Sequence, residues 1–329
     1  MTLCEFMENA LYGPGGYYAS GAAKTGRTGD YFTAPETGAA FAQLLGSIFQ
    51  SWQRRLAADP FQVIEVGAGE GRLAQALLER CPEARYTAIE RSAVRREKIA
   101  GLGLPIEICA RWRDMENKSS AGIVFANELI DAFPVHRVRM KEGKLEEMTA
   151  PTVGWSVPST ARLAAYFDRL KIKLPEGYET EVNLAMHDWL SDAGRMLWRG
   201  LIVLIDYGRP AWDYYAEERS GGTLRGFHEH KVLGLDALLR AGAAADWTAD
   251  VDFTSLALDA REAGLTPLAF MEMGTFLNMG MAGMKSSPTF LLHPDGLGTQ
   301  FHVLILGKNV DPAEWTFAHN RMARLGLPA

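Results

Sequence analysis

The chain has 329 residues, of which 47% are hydrophobic and 22% are charged, and its net charge is -6 at pH 7. This length and composition supply enough apolar surface for about two globular domains and exclude fibrous and disordered classes. The acidic balance gives no general attraction for nucleic acid or anionic lipid, and no stretch of ~18 uninterrupted apolar residues predicts a membrane span. We therefore predict a cytoplasmic protein that binds neither nucleic acid nor membrane.

The N-terminal residues and the cysteines are also typical of an intracellular protein. Glu5 and Glu8 stand where a secretory leader would carry positive charge. The three cysteines, Cys4, Cys81 and Cys109, are too few and too scattered for a disulfide scaffold or a zinc cluster. They are expected to be buried small side chains in a reducing compartment.

Residues 1–56 are predicted to form an N-terminal segment that is separate from the core domain. Glycines, a proline and aromatic residues predict turns at 12–18, and a second turn-rich segment occupies 29–36. Residues 37–56 carry apolar side chains at helical spacing, which predicts an amphipathic helix. A structural lead-in does not require the 29–36 segment, so we expect a lid that closes over a ligand. Its predicted cofactor contacts are Thr33, Pro35 and Glu36.

From residue 61 onward, short apolar strands alternate with helices. This rhythm predicts a largely parallel sheet with helices on both faces, the α/β arrangement of Rossmann-like folds. The alternation lapses after Pro134, where an antiparallel hairpin (135–140 and 144–149) and two helical stretches (161–170 and 181–196) are predicted. The predicted division is a lid (1–56), a core (57–134 and 199–308), an inserted cap (135–198) and a tail (309–329).

A glycine-rich loop joins the first core strand to its helix. The order is Glu65, Gly67, Ala68, Gly69 and Gly71. Glycine accepts positive φ and allows a ligand to approach the backbone, and the carboxyl edge of an open sheet is where ligands lie. The spacing is G-x-G-x-G rather than the dinucleotide pattern G-x-G-x-x-G, and an acidic residue precedes it, which favours a cationic ligand.

Glu90 closes the second predicted strand at the position expected to bind ribose hydroxyls. Together with Glu65 and the glycines it resembles the S-adenosyl-L-methionine (SAM) site of Rossmann-like methyltransferases. Two alternatives stay open at this point: a tight turn without a ligand, and a dinucleotide site of an oxidoreductase. The second alternative predicts binding of NAD rather than SAM.

Polar residues follow the fourth predicted strand at the same edge. Asn127 and Glu128 come directly after it, and Asp131 lies on the same face as Glu128 if a helical turn begins there. Two carboxylates at this rim would hold a cationic acceptor next to the reacting methyl group. The alternative is an ordinary helix start, whose acidic residues favour the positive end of the helix dipole.

Several motifs in this order resemble the MidA family of SAM-dependent methyltransferases. The resemblance covers nearly the whole chain and rests on the segments 12–18, 29–36, 65–71, 126–135, 205–208, 222–225 with His230, 251–254 and 301–304. Mitochondrial members of that family dimethylate an arginine in a respiratory complex I subunit. The resemblance therefore implies that SAM is the cofactor and that the substrate is a protein. The implied methyl acceptor is an arginine of a complex I subunit. Members usually have His at the position of Asp250 and often Gln near Met273.

The resemblance also suggests roles for individual residues. A guanidinium is always protonated in water, so an arginine acceptor needs carboxylates that orient it and receive a proton. Glu128 matches the first glutamate of the acidic pair in arginine methyltransferases, with Asp131 assisting and Asn127 contributing to cofactor and catalysis. The predicted substrate contacts are Asp206, Tyr207, Arg225 and His230, which otherwise serve as hydrogen-bonding core or loop residues.

A histidine pair and the departures from the MidA pattern allow two further interpretations. His228 and His230 would face one way in a strand, but no third ligand is evident nearby, so no metal site is predicted. A SAM-binding assembly factor with weak or no transferase activity is the alternative function. Asp250 and Met273 favour that alternative, whereas the presence of Asn127, Glu128 and Asp131 favours a transferase.

Overall fold

A computed structural model describes residues 1–20, 39–115, 119–229, 231–282 and 288–327. Helices alternate with strands along most of this length. The helices are α1 (Leu3–Tyr12), α2 (Ala39–Leu56), α3 (Arg72–Arg80), α4 (Ala93–Gly101), α5 (Arg162–Leu170), α6 (Ala185–Arg195), α7 (Ala211–Tyr214), α8 (Leu235–Ala241), α9 (Phe253–Glu262), α10 (Met273–Asn278) and α11 (Thr289–Leu292). The strands are β1 (Gln62–Val66), β2 (Arg85–Ile89), β3 (Ile106–Cys109), β4 (Ser120–Asn127), β5 (His136–Lys141), β6 (Lys144–Thr149), β7 (Gly154–Ser156), β8 (Glu179–Val182), β9 (Leu197–Arg209), β10 (Arg225–His228), β11 (Lys231–Leu233), β12 (Asp246–Thr248), β13 (Val251–Asp252), β14 (Thr266–Glu272) and β15 (Phe301–Lys308).

The chain forms two compact units, each built from three segments. The first unit comprises Met1–Phe32, Ile130–Met186 and Gly208–Leu256. The second comprises Thr33–Leu129, His187–Tyr207 and Ala257–Ala329. This division differs from the predicted boundaries, since 208–256 group with 130–186 rather than with the sheet. No helix among the described residues is long and apolar enough to cross a bilayer.

The second unit contains the predicted Rossmann-like sheet. Its strand order is β14-β15-β9-β4-β1-β2-β3, in which β1 pairs in parallel with β2 and β4, and β9 pairs in parallel with β4. Strand β15 pairs antiparallel with both of its neighbours, β9 and β14. The predicted mixed α/β fold is confirmed, and the parallel strands bring the segments after β1, β2, β4 and β9 to one edge.

Helix α2 covers this sheet through the apolar stripe that the spacing predicted. Its buried side chains are Phe41, Leu44, Leu45, Ile48, Phe49 and Trp52. The Phe49 ring packs edge-on against Phe125 of β4, with 5.7 Å between centroids. Burial of such a stripe, rather than helix propensity, supplies most of the stability of a helix in a protein.

The first unit holds two smaller sheets and α1. The sheet orders are β7-β6-β5-β8 and β11-β10-β12. Helix α1 begins with a capping box between Thr2 and Glu5, and it buries Leu3, Met7 and Leu11 in this unit's core. The N-terminal helix is therefore part of a hydrophobic core. Of the predicted lid (1–56), the turn-rich segment 29–36 lies outside the described residues.

One predicted helix begins later than expected. Strand β8 (Glu179–Val182) includes the first two residues of the stretch predicted as helical at 181–196, and it pairs antiparallel with β5. The buried carboxylate of Glu181 pairs with the Arg137 guanidinium of β5, and Thr180 and Val182 are buried beside it. This pairing with a distant strand has no local sequence signal, because it depends on tertiary contacts.

We expect Phe125→Ala to lower the free energy of unfolding by about 3–5 kcal/mol, because it leaves a cavity in a fully buried site. Urea denaturation measures the change. Phe290→Ala is the matched control: its side chain is 55% exposed, and we expect a change within about 0.5 kcal/mol. Equal losses for the two variants would contradict the packing described for α2 and β4.

Candidate functional site

The loop between β1 and α3 owes its shape to glycine. Gly67, Gly69 and Gly71 have φ values of 73°, 57° and 77°, in the left-handed region that other residues adopt at a cost. A Cβ on Gly67 would lie 3.0 Å from Leu129 Cδ1, whereas one on Gly69 would meet no atom of the described residues within 4 Å. The loop is thus closed against Leu129 at one end and open at Gly69, where a ligand can approach the backbone.

Glu90 ties this loop to the end of β2. Its Oε2 accepts a hydrogen bond from the Gly69 N–H at 2.9 Å, and its Oε1 accepts one from the Ser92 N–H at 2.8 Å. Each carboxylate oxygen can accept a second hydrogen bond. Glu90 therefore fixes the loop and keeps capacity for the ribose hydroxyls that the sequence analysis assigned to it.

Glu65 is buried in β1 behind the loop. The Tyr86 hydroxyl donates to its Oε2 at 2.7 Å. Burial raises the pKa of Glu65 to about 8, an effect that the Tyr86 hydrogen bond opposes and the nearby Glu90 charge reinforces. At neutral pH this carboxyl is mostly protonated in the protein without ligand, and a cationic group bound next to it would favour its ionised form.

The turn after β4 carries Asn127 and Glu128. Glu128 has φ +50°, a left-handed conformation, so the helical turn that would put Asp131 on its face does not form. The Asn127 Nδ2 donates to Glu128 Oε1 at 2.9 Å. The Asn127 Oδ1 is buried and accepts no hydrogen bond from the described residues, so it is an acceptor available to a cationic ligand.

Backbone contacts with β9 hold this turn in place. The Glu128 N–H donates to the Ile205 carbonyl at 2.9 Å, and the Leu129 N–H donates to Asp206 Oδ2 at 3.3 Å. The Leu129 side chain then lies against Gly67. The structure therefore brings together the glycine loop, Asn127, Glu128 and Asp206 in the second unit.

Asp131 belongs to the first unit, where it is buried. Its Oδ2 accepts a hydrogen bond from Thr248 Oγ1 at 2.9 Å, and its carbonyl accepts one from the Ala249 N–H at 3.0 Å. Burial raises the pKa of Asp131 to about 6, against the lowering effects of the Thr248 hydrogen bond and the Arg225 charge. Asp131 thus orders the chain at 130–132 by joining it to β12.

Arg225 lies in the same unit and is paired with the residue that departs from the MidA pattern. Its Nη1 donates to Asp250 Oδ1 at 2.7 Å and to the Thr223 carbonyl at 3.0 Å. The Asp250 N–H donates to Thr223 Oγ1 at 3.0 Å. Asp250 is therefore an ion-pair partner in this chain.

The remaining predicted contacts divide into two groups. The Tyr207 ring packs on Phe301 with 4.0 Å between centroids, so it forms part of the apolar core next to β15. Thr33, Pro35, Glu36 and His230 lie outside the described residues. Sequence reasoning did not find Ser92, Leu129 and Thr248, because a backbone donor, an apolar contact and a lone hydroxyl leave no motif. Asp206 was found, but its contact with the Leu129 N–H was not.

Comparisons with known proteins identify the family of the chain. Residues 44–271 match the family described as "Putative S-adenosyl-L-methionine-dependent methyltransferase". The chain is 26% identical to the mitochondrial protein arginine methyltransferase NDUFAF7 of Rattus norvegicus, over 93% of this chain and 80% of that protein. It is 25% identical to the Drosophila melanogaster homologue, over 77% of this chain and 65% of that protein.

A solved structure is similar over most of its length. A protein from Burkholderia thailandensis, crystallised with S-adenosyl-homocysteine bound, superposes with a TM-score of 0.82 at 26% identity, covering 97% of this chain and 91% of that one. The family model alone spans more than half of the chain. The chain therefore belongs to this family of SAM-dependent methyltransferases, and the open cradle at Gly69, the Glu90 carboxylate and the Asn127 Oδ1 fit that cofactor.

We expect Gly69→Val to abolish or strongly weaken SAM binding, because a branched side chain would occupy the open side of the loop. Isothermal titration calorimetry with SAM measures this. Gly103→Val is the matched control, since Gly103 also has a left-handed φ (64°) and a Cβ there would meet no atom within 4 Å in the part of the chain that the structure describes, but Gly103 lies after α4. Unchanged SAM affinity in a folded Gly69→Val protein would contradict the assignment.

The raised pKa of Glu65 predicts a pH-dependent stability. The pKa of a glutamate in an unfolded chain is ~4.3. Between about pH 4.5 and 8, Glu65 is therefore protonated in the folded protein and ionised in the unfolded protein. The stabilisation is fully present below the unfolded pKa and is lost as pH rises through the folded value, at a rate of at most ~1.4 kcal/mol per pH unit. Glu65→Gln keeps a neutral acceptor for Tyr86, so its unfolding free energy should fall less between pH 5 and 8. Urea denaturation at several pH values measures this. An equal fall of the unfolding free energy with pH in the two proteins would refute the prediction.

Proposed function

We propose that this methyltransferase modifies an arginine side chain of a partner protein, with Glu128 as the anchor of the guanidinium. The observation that carries the proposal is the Glu128 carboxylate, held by Asn127 in a strained turn against the glycine loop. The names of the curated relatives, which are protein arginine methyltransferases, support the choice of acceptor.

A half-buried carboxylate at this position suits a guanidinium. Its two oxygens accept parallel N–H bonds from the planar fork of an arginine, which orients one nitrogen toward the reacting methyl. The bound cofactor supplies a methyl group on a sulfonium centre. As the acceptor nitrogen forms its bond to that methyl carbon, the carbon–sulfur bond breaks, and the nitrogen gives up one proton, which Glu128 is placed to receive.

The strain at Glu128 favours a functional role. A left-handed conformation costs a residue with a side chain about 1–2 kcal/mol. The Glu128 and Leu129 N–H groups, bound by Ile205 and Asp206, offset that cost. The carboxylate is thereby set in one direction before any substrate binds.

The other predicted residues take supporting roles in this proposal. Asp131 orders the segment after Glu128 through Thr248, and Arg225 and Asp250 form an ion pair. We keep the segment 29–36 as a proposed lid over the cofactor. A complex I subunit as the partner follows from the resemblance to the MidA family, and a cytoplasmic location stays a prediction, since the curated relatives have mitochondrial names.

A SAM-binding assembly factor is the second candidate. The specific observation that favours it is the Arg225–Asp250 pair, because the two charges neutralise each other. Such a protein would bind SAM with the same loop and transfer no methyl group.

Glu128→Gln should slow methyl transfer by about 30-fold or more, because loss of one partner of a buried charged hydrogen bond costs ~2–5 kcal/mol. SAM affinity should change little, since Glu90 and the glycine loop are intact. Asp131→Asn should give a smaller loss. The assay supplies radiolabelled SAM and, as acceptor, an extract of cells that lack the gene, and mass spectrometry identifies the modified residue.

Three results would count against the proposal. Label on lysine, glutamine or a small molecule would exclude the arginine acceptor. Near-normal transfer by Glu128→Gln would exclude the anchor. SAM binding by the wild-type protein without any incorporation of label would favour the assembly factor.

A further inference from the structure

Three side chains with metal-binding atoms meet on the second unit, away from the residues assigned above. They are His187 of α6 and Asp259 and Glu262 of α9. One ligand atom from each lies within 4.8 Å of the other two. None of the three belongs to the glycine loop or to the turn after β4, so the cofactor site does not account for the cluster.

The helices place these groups by their periodicity. Asp259 and Glu262 are three residues apart on α9, and side chains at that spacing lie on one face of a helix. His187, in the first turn of α6, faces them. The cluster thus stands on two regular elements, which position ligands more firmly than loops do.

The distances distinguish a shared ion from a direct hydrogen bond. His187 Nδ1 lies 3.9 Å from Asp259 Oδ1 and 3.6 Å from Glu262 Oε2. Both exceed the ~2.7–3.2 Å of a hydrogen bond. Four tetrahedral ligands at ~2.1 Å from zinc are about 3.4 Å apart, which is close to the two distances measured from His187.

We propose that His187, Asp259 and Glu262 bind a divalent transition-metal ion, for which zinc is the best fit. One imidazole nitrogen and two carboxylate oxygens are a ligand set that zinc accepts, and the two negative charges balance the ion. The Asp259 side chain is 6% exposed, whereas His187 and Glu262 are 33% and 50% exposed, which leaves an open side for entry of the ion and for a water as fourth ligand.

The bound ion would link α6 to α9. These helices are far apart in the sequence, so an ion that binds both stabilises the folded chain by mass action. The role assigned to the metal is structural, and methyl transfer requires none. Failure of this proposal would leave the function proposed above unaffected.

The test uses the full chain, freed of metal with a chelator and dialysed. We expect calorimetry to show binding of one equivalent of zinc, a melting temperature that rises with zinc, and, with cobalt in place of zinc, the absorption bands of a four-coordinate site. His187→Ala and Glu262→Gln should each lower the zinc affinity by about 10–100-fold or more and remove the thermal shift. His293→Ala is the matched control, because His293 faces a single carboxylate, Asp295, at 3.4 Å.

The results that support the zinc site differ from those that contradict it. Loss of zinc binding in both cluster variants, with His293→Ala unchanged, supports the site. No zinc binding by the wild-type chain, or full affinity in Glu262→Gln, overturns it. Because Glu262 is half exposed, its substitution leaves a folded protein for this comparison even if His187→Ala does not fold.

Discussion

Hydrogen bonds between neighbouring strands fix the carboxyl edge of the sheet. Backbone N–H groups that follow β1 and β4 donate to carboxylates at the ends of β2 and β9. Glu90 accepts from Gly69 and Ser92, and Asp206 accepts from Leu129. Only a parallel arrangement brings these strand ends to one edge, and only glycine adopts the left-handed conformation at three loop positions without cost. The glycine loop, Glu90 and the turn at Glu128 and Leu129 depend on these contacts for their positions.

Much of the second unit could be predicted from its sequence. Apolar runs at strand length marked β1, β2, β4 and β9, and the stripe of α2 identified six side chains that are all buried. The glycine spacing, with Glu65 before it and Glu90 after it, distinguished a SAM site from a dinucleotide site. These signals are local, since each depends on residues within one strand, one helix or one turn.

What could not be predicted depends on contacts between distant residues. The pairing of β8 with β5, the hydrogen bond between Thr248 and Asp131, and the ion pair of Arg225 with Asp250 join different segments of the chain. The helical turn at Glu128 was an expectation from local spacing, and the backbone bonds to β9 override it. His187 likewise meets α9 only through the fold, so the group formed by His187, Asp259 and Glu262 has no local sequence signal.

The discontinuity of the two units has a consequence for biosynthesis. The chain passes between them five times, at 32/33, 129/130, 186/187, 207/208 and 256/257. On the ribosome, the first unit has all its segments only when Leu256 has emerged, and the parallel sheet lacks β14 and β15 until later still. Strands β4 and β9 are therefore synthesised well before β14 and β15, which complete the sheet. A partly synthesised chain of this design exposes apolar surface, which favours aggregation, and no contiguous fragment of the chain corresponds to a complete unit.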